Sequence, residues 1–147
     1  FASLGLLSGF LMPWAAERMR NPYILVLICV LAYAVSFPAL LISPMSYPVL
    51  WVIILGLGPS TFPLALTLIN LRTRTSAGST AMSGFAQGTG YLLSCTGPFL
   101  FGVFRAMSDG WVVPFLFLSV CVVIMAIGGW FICKPQYLED NPKVFKA

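Results

Sequence analysis

The chain contains no histidine and very little charge: 8 Lys and Arg against 4 Asp and Glu among 147 residues, or 8% in all. A soluble domain carries about a quarter charged residues, so an ordinary water-soluble core is excluded. Disorder is excluded too, because its signature is low hydrophobicity, whereas 59% of this chain is hydrophobic and its mean hydropathy is +0.95. The few positive residues form no basic face, which removes nucleic acid as a partner. Cysteine is sparse as well: Cys29, Cys95, Cys121 and Cys133 form no CxxC pair. With no histidine to complete a ligand set, neither a metal nor another cofactor is expected. Each cysteine lies in an apolar run or, for Cys133, ends one, and such a thiol reads as a small hydrophobe. There is no nucleophile–base pair and no phosphate-binding loop, so the chain does not read as an enzyme. What remains is an integral membrane protein.

A helix needs about 20 mainly apolar residues to cross a hydrocarbon core near 30 Å thick. Four runs qualify, roughly 22–42, 48–70, 79–104 and 111–133, and a fifth, 1–14, is cut short where the chain begins. That opening run has no basic leader or small-residue cleavage site, so it is not a signal peptide. The expectation is a start partway through a larger protein. The separators carry the charges and turn residues: Glu17 to Pro22, Ser43 to Pro48, Arg72 to Arg74, and Arg105 to Gly110, with Asp109 in the last. After Cys133 a polar tail, 134–147, is expected to be cytoplasmic. Alternate connections place Arg18, Arg20, Arg72, Arg74, Lys134, Lys143 and Lys146 on one side and only Arg105 on the other. Positive residues are retained in the cytoplasm, which puts the first side and the C-terminus there. The membrane is then the inner, cytoplasmic one, crossed several times. An odd number of spans with an external start fits the end of an even-spanned protein.

Two spans carry more than apolar bulk. In the third, Leu55-Gly56-Leu57-Gly58-Pro59-Ser60-Thr61-Phe62-Pro63, two glycines weaken the helix and two prolines each remove a backbone donor. Freed carbonyls inside a membrane need partners, and interrupted helices at that depth mark transport sites. A simple proline kink is the alternative. Ser60 and Thr61 offer hydroxyls either to a ligand or to the broken backbone. In the fourth span, at 100° per residue, Thr80, Ser83, Gly84, Gln87, Tyr91, Ser94 and Pro98 share one face. Met82, Phe85, Leu92, Leu93, Phe99 and Leu100 occupy the other, with Thr89 and Thr96 as exceptions. Lipid cannot satisfy such a stripe, so it faces a cavity or a neighbouring helix. Gln87, whose amide both donates and accepts, is the central residue. The packing alternative rests on Gly84-xxx-Gly88, a small-xxx-small contact, with Gln and Ser bonding across helices. No Asp, Glu, Lys or His lies deep in any span. A coupling proton or ion, where one is used, would therefore bind upstream of Phe1.

The stretch from Gly56 to Gly110 carries a further pattern. Gly56-Leu57-Gly58, Phe62-Pro63-Leu64-Ala65-Leu66, Asn70-Leu71-Arg72-Thr73, the run Ser83 to Tyr91, and Thr96-Gly97-Pro98 occur in order and at set spacings. Together they resemble the cyanate/nitroimidazole permease family (CynX/NimT type) of the major facilitator superfamily. The resemblance implies an all-α major facilitator bundle in which 1–133 supplies spans eight to twelve of twelve. It also implies a substrate site between two six-helix halves and alternating access by rocking. Phe62, Ser83, Gln87 and Tyr91 become cavity-lining residues, and the substrate a cyanate-like anion or a nitroimidazole-like compound. A monomer is the family expectation. Glu17, Arg18 and Arg20 fall in a loop similar to the family's acidic–basic gating motif, with Arg72 and Arg74 in the next loop on that side. Glu17 stands where Asp is usual, and no glycine occurs from Glu17 to Asn21. A gating loop and an exposed, orientation-setting loop both fit.

The leading expectation is a secondary transporter of a small solute. Its rival is a non-transporting scaffold or assembly protein whose polar spans only pack helices. The site candidates are Ser60, Thr61, Phe62, Ser83, Gln87, Tyr91 and Ser94.

Overall fold

The computed structural model describes residues 2–42, 45–108 and 110–140. Phe1, Ser43, Pro44, Asp109 and residues 141–147, with Lys143 and Lys146, lie outside the described residues. Every regular element among the described residues is helical: α1 Ala2–Arg18, α2 Tyr23–Ile42, α3 Pro48–Leu55, α4 Thr61–Leu71, α5 Ser76–Met107 and α6 Val112–Ile132. Single 3₁₀ turns occur at Gly58–Ser60 and Leu138–Asp140.

Three segments are long and apolar enough to cross a bilayer, Tyr23–Ile42, Pro48–Leu71 and Val112–Ile132. The fold is that of an all-α membrane protein. Length and hydropathy thus mark three crossings against five apolar runs in the sequence. The helix α1 has 17 residues. At 32 residues, α5 is about 48 Å long at 1.5 Å per residue, well beyond the core thickness, but its polar face dilutes its hydropathy.

Helix ends follow local chemistry. Pro48 opens α3 in the first turn, where its missing N–H would have no partner anyway. Thr75 caps α5, its hydroxyl accepting from the Gly78 N–H at 3.1 Å, which satisfies one of the four orphan donors of a helix start.

Packing is concentrated at one end of the bundle. The helix α2 lies against α6 and α3, α1 against α4, and α5 against α6 and α4. Met12 and Ala16 of α1, Leu25, Val26 and Cys29 of α2, Leu64 and Leu68 of α4, and Cys133 after α6 form one buried cluster. Two glycines permit this closeness. A Cβ on Gly129 would stand 2.6 Å from Val26 Cγ1, and one on Gly58 would stand 2.1 Å from Tyr33 Cζ. The Tyr33 ring continues a chain of aromatic contacts through Phe37 to Phe115 of α6, with centroids 5.5 and 5.6 Å apart.

Elsewhere the helices turn apolar side chains outward. Neither α3 nor α5 has a buried residue, and Phe85, Leu92, Phe99 and Ile124 are among the exposed hydrophobics. The accessible surface is 9975 Å², against roughly 7,400 Å² for a compact soluble chain of this mass. Water would penalise that apolar surplus, whereas lipid accepts it. Cys29 and Cys133 are buried, but Cys95 and Cys121 lie exposed on α5 and α6, so only two of the four thiols act as core hydrophobes.

Candidate functional site

The glycine- and proline-rich stretch is a true interruption of the α-helix, yet the backbone does not unwind. Gly56, Leu57, Ser60 and Thr61 all keep right-handed helical dihedrals, and no described residue has a positive φ. The chain tightens instead. Pro59 and Pro63 cannot donate to Leu55 and Pro59, so three-residue bonds replace four-residue ones: Leu57 N–H to Ile54 O at 3.1 Å and Ser60 N–H to Leu57 O at 3.2 Å.

Side chains supply the rest. The Thr61 hydroxyl donates to Gly58 O at 3.0 Å, and the Thr67 hydroxyl donates to Pro63 O at 3.0 Å. From α2, the Cys29 thiol donates to Leu57 O at 3.5 Å. The two adjacent hydroxyls therefore have different fates. That of Thr61 serves the broken backbone, while Ser60, 1% exposed, has a buried hydroxyl with no partner among the described residues. Ser36 Oγ and Trp51 Nε1 are likewise buried and unpartnered. Nothing in the sequence distinguishes those two, since each sits in an apolar run.

The polar face of α5 meets α4. Phe62, Ala65, Leu66 and Ile69 of α4 and Ala86, Gln87, Gly90, Tyr91 and Ser94 of α5 line an open cavity of about 190 Å³, with Phe62 and Tyr91 about half exposed. Four sequence candidates, Phe62, Gln87, Tyr91 and Ser94, thus share one cavity. Ser83, one turn before Gln87, is half-buried and is not among its lining residues. Thr61 instead borders a second, apolar cavity of about 400 Å³ between α2, α4 and α6.

Several hydroxyls of α5 turn back on their own helix. Ser94 donates to Gly90 O at 2.7 Å, Thr96 donates to Leu93 O at 2.7 Å, and Thr89 donates to Phe85 O. This explains how Thr89 and Thr96 sit on the apolar face. Gln87 and Tyr91 are left as the polar groups most open to a solute. A Cβ added at Gly84, Gly88 or Gly90 would meet no atom within 4 Å. The small-residue stripe is therefore not packed against another helix among the described residues.

The five loop candidates separate. Glu17 is exposed, and the Arg18 guanidinium lies over the Trp14 ring at 4.3 Å. Arg72 forks onto the end of α6, with Nε donating to Ile132 O at 3.2 Å and a terminal nitrogen to Cys133 O at 2.7 Å. These carbonyls lack partners within their own helix, so Arg72 ties α4 to α6. Arg74 pairs with Asp140 at 3.1 Å and covers the Tyr137 ring at 4.5 Å. Arg20 lines a cleft with Arg72 and Lys134. Arg105 sits at the α5–α6 turn, over Trp111. Among the described residues no group of three His, Cys, Asp or Glu could hold a metal ion.

The chain matches known proteins over most of its length. It is 33% identical to an uncharacterized transporter of Bacillus subtilis, YycB, over 146 residues, covering 97% of this chain and 36% of that protein. It is 31% identical to the 2-nitroimidazole transporter of Escherichia coli, covering 82% of this chain and 31% of the relative. With the cyanate transport protein CynX of Escherichia coli it shares 30% identity, over 85% of this chain and 33% of the relative. The chain spans about a third of the length of these relatives. No family model matches the chain, and no solved structure matches it significantly. By sequence, this all-α, multi-pass membrane chain is similar over most of its length to the cyanate and 2-nitroimidazole transporters, consistent with a permease of the major facilitator superfamily.

Proposed function

We propose that the protein is a secondary transporter moving a small solute across the cytoplasmic membrane by alternating access, and that it is not an enzyme. One observation carries this reading: Phe62 of α4 and Gln87 and Tyr91 of α5 converge on one cavity. Tyr91 is within one residue of the midpoint of α5, so a helix centred in the bilayer holds this cavity near the midplane, where carriers bind their substrates. An amide and a phenol beside an aromatic ring suit a small planar solute, with two polar groups fixing its orientation. The named activities of the relatives, cyanate transport and 2-nitroimidazole transport, fit a solute of that size.

The rest of the reading follows from the charge distribution and from the family resemblance. Residues 1–133 form the C-terminal part of the carrier, the tail from 134 is cytoplasmic, and the protein works as a monomer. A coupling ion, where used, binds outside this chain, because the described spans offer no buried carboxylate. Glu17, Arg18, Arg20, Arg72 and Arg74 belong to the cytoplasmic gate region.

Gln87→Leu tests the assignment. Uptake of cyanate or 2-nitroimidazole into cells should fall at least tenfold while the amount of protein in the membrane is unchanged. In a background with Cys95 and Cys121 replaced by alanine, Gln87→Cys should react with a membrane-impermeant thiol reagent, and substrate should protect it. Unaltered transport by Gln87→Leu, with no labelling of Gln87→Cys, would favour a helix-packing role for the stripe.

A further inference from the structure

At the end of the bundle away from Arg105, the cleft of about 570 Å³ is lined by Arg20, Arg72 and Lys134, together with Tyr23, Trp130 and Cys133. The three cations come from three separate stretches of chain, and no lining residue is acidic. Arg72 keeps its place through its two carbonyl bonds, and the Lys134 ammonium rests 3.8 Å from the Trp130 ring centroid. Directly beneath lies the apolar groove of about 400 Å³, bordered by Val26, Leu68, Met125, Gly128 and Ile132. The two hollows are built by the same helices at successive turns. Val26 follows Tyr23 by one turn, Leu68 precedes Arg72 by one turn, and Gly129, another groove residue, precedes Cys133 by one turn.

A cationic mouth above an apolar groove is the complement of one kind of molecule present in any bacterial membrane. We propose that α2, α4 and α6 bind an anionic phospholipid, its headgroup phosphate between Arg20, Arg72 and Lys134 and an acyl chain in the groove below. Basic pockets between helices on the cytoplasmic side take such headgroups, and Trp130 and Tyr23 sit where aromatic side chains favour the interface. A zwitterionic lipid fits less well. Its cationic end would meet three like charges, and the Trp130 face is already covered by Lys134. Gly128 lines the groove, and a Cβ there would meet nothing within 4 Å, so there is room for a larger side chain to occupy it.

The test is lipid binding to the full chain purified in detergent, read as retained adducts by native mass spectrometry. Phosphatidylglycerol, phosphatidylcholine and inorganic phosphate are each titrated. Phosphatidylglycerol should bind at least tenfold tighter than phosphatidylcholine. The double variant Arg20→Gln, Lys134→Gln, which leaves the bracing Arg72 intact, should weaken phosphatidylglycerol by about 25-fold, at about fivefold per removed charge. Gly128→Leu should weaken it while leaving the basic mouth unchanged. Equal binding of the two lipids, or undiminished phosphatidylglycerol binding by the double variant, overturns the proposal. Inorganic phosphate binding as tightly as phosphatidylglycerol overturns the lipid assignment in favour of a free-anion site. Should a variant fail to fold by circular dichroism, the comparison of lipids on the unmodified chain still decides.

Discussion

Alanine in place of Gly129 tests a close approach of α2 and α6. The added methyl would stand 2.6 Å from Val26 Cγ1, with Cγ2 and Cβ at 3.3 and 3.4 Å. Carbon atoms prefer about 3.5–4.0 Å, so the helices must part by about 1 Å or Val26 must leave its rotamer. Val26 is 5% exposed, and a β-branched side chain in a helix has one strongly favoured χ1, which closes the second route. Overpacking of this kind costs about 1–3 kcal/mol. Alanine also gains about 1 kcal/mol over glycine in helix propensity, leaving a net loss of up to about 2 kcal/mol. In a Val26→Ala background the clash disappears and only the propensity gain remains. The same substitution then stabilises. Thermal unfolding of the four proteins in detergent measures the coupling, expected at about 1–3 kcal/mol, or several degrees in midpoint at about 2–4 °C per kcal/mol. Equal effects of Gly129→Ala in the two backgrounds would refute the argument, because the helices would not be in contact at this point.

Other substitutions probe separate parts of the structure. Ser60→Ala removes a buried hydroxyl that has no partner among the described residues and should raise thermal stability by about 1 kcal/mol or more; a fall in stability would mean that the hydroxyl is bonded. Arg72→Gln loses both charged bonds to the end of α6 and should cost about 2–3 kcal/mol. Arg72→Lys should recover little of this in the same unfolding assay, since an ammonium lacks the guanidinium fork. Arg74→Ala, by contrast, breaks a pair whose side chains are 57% and 53% exposed. Its effect should stay below about 1 kcal/mol and shrink further in high salt.

The all-α membrane character is legible in the sequence because it depends on bulk quantities, run length and charge scarcity. The interruption near Gly58 is legible for a different reason: glycine and proline act on the backbone locally, whatever surrounds them. That the interruption tightens rather than unwinds is not local information. It involves Cys29, delivered from α2, whose thiol donates to Leu57 O. Helical periodicity groups the polar residues of α5, but the crossing with α4 decides that Gln87, Tyr91 and Ser94 reach the cavity and Ser83 does not. Arg72 reads from sequence as a loop charge. Only tertiary structure brings it to the last carbonyls of α6, 60 and 61 residues away.

The 3₁₀ turn between α3 and α4 also has a mechanical meaning. Such a turn advances about 2.0 Å and 120° per residue, whereas an α-helix advances about 1.5 Å and 100°. Over the three residues Gly58–Ser60, the difference amounts to a screw of roughly 60° and 1.5 Å. Relaxing those residues to α-geometry would rotate α4 about its own axis relative to α3 and draw it inward. Phe62, one residue past the start of α4, would sweep across the cavity lined by Gln87 and Tyr91. A span that looks like a single rod is therefore two rods joined by a threaded coupling, with the aromatic wall of the cavity mounted on the half that turns.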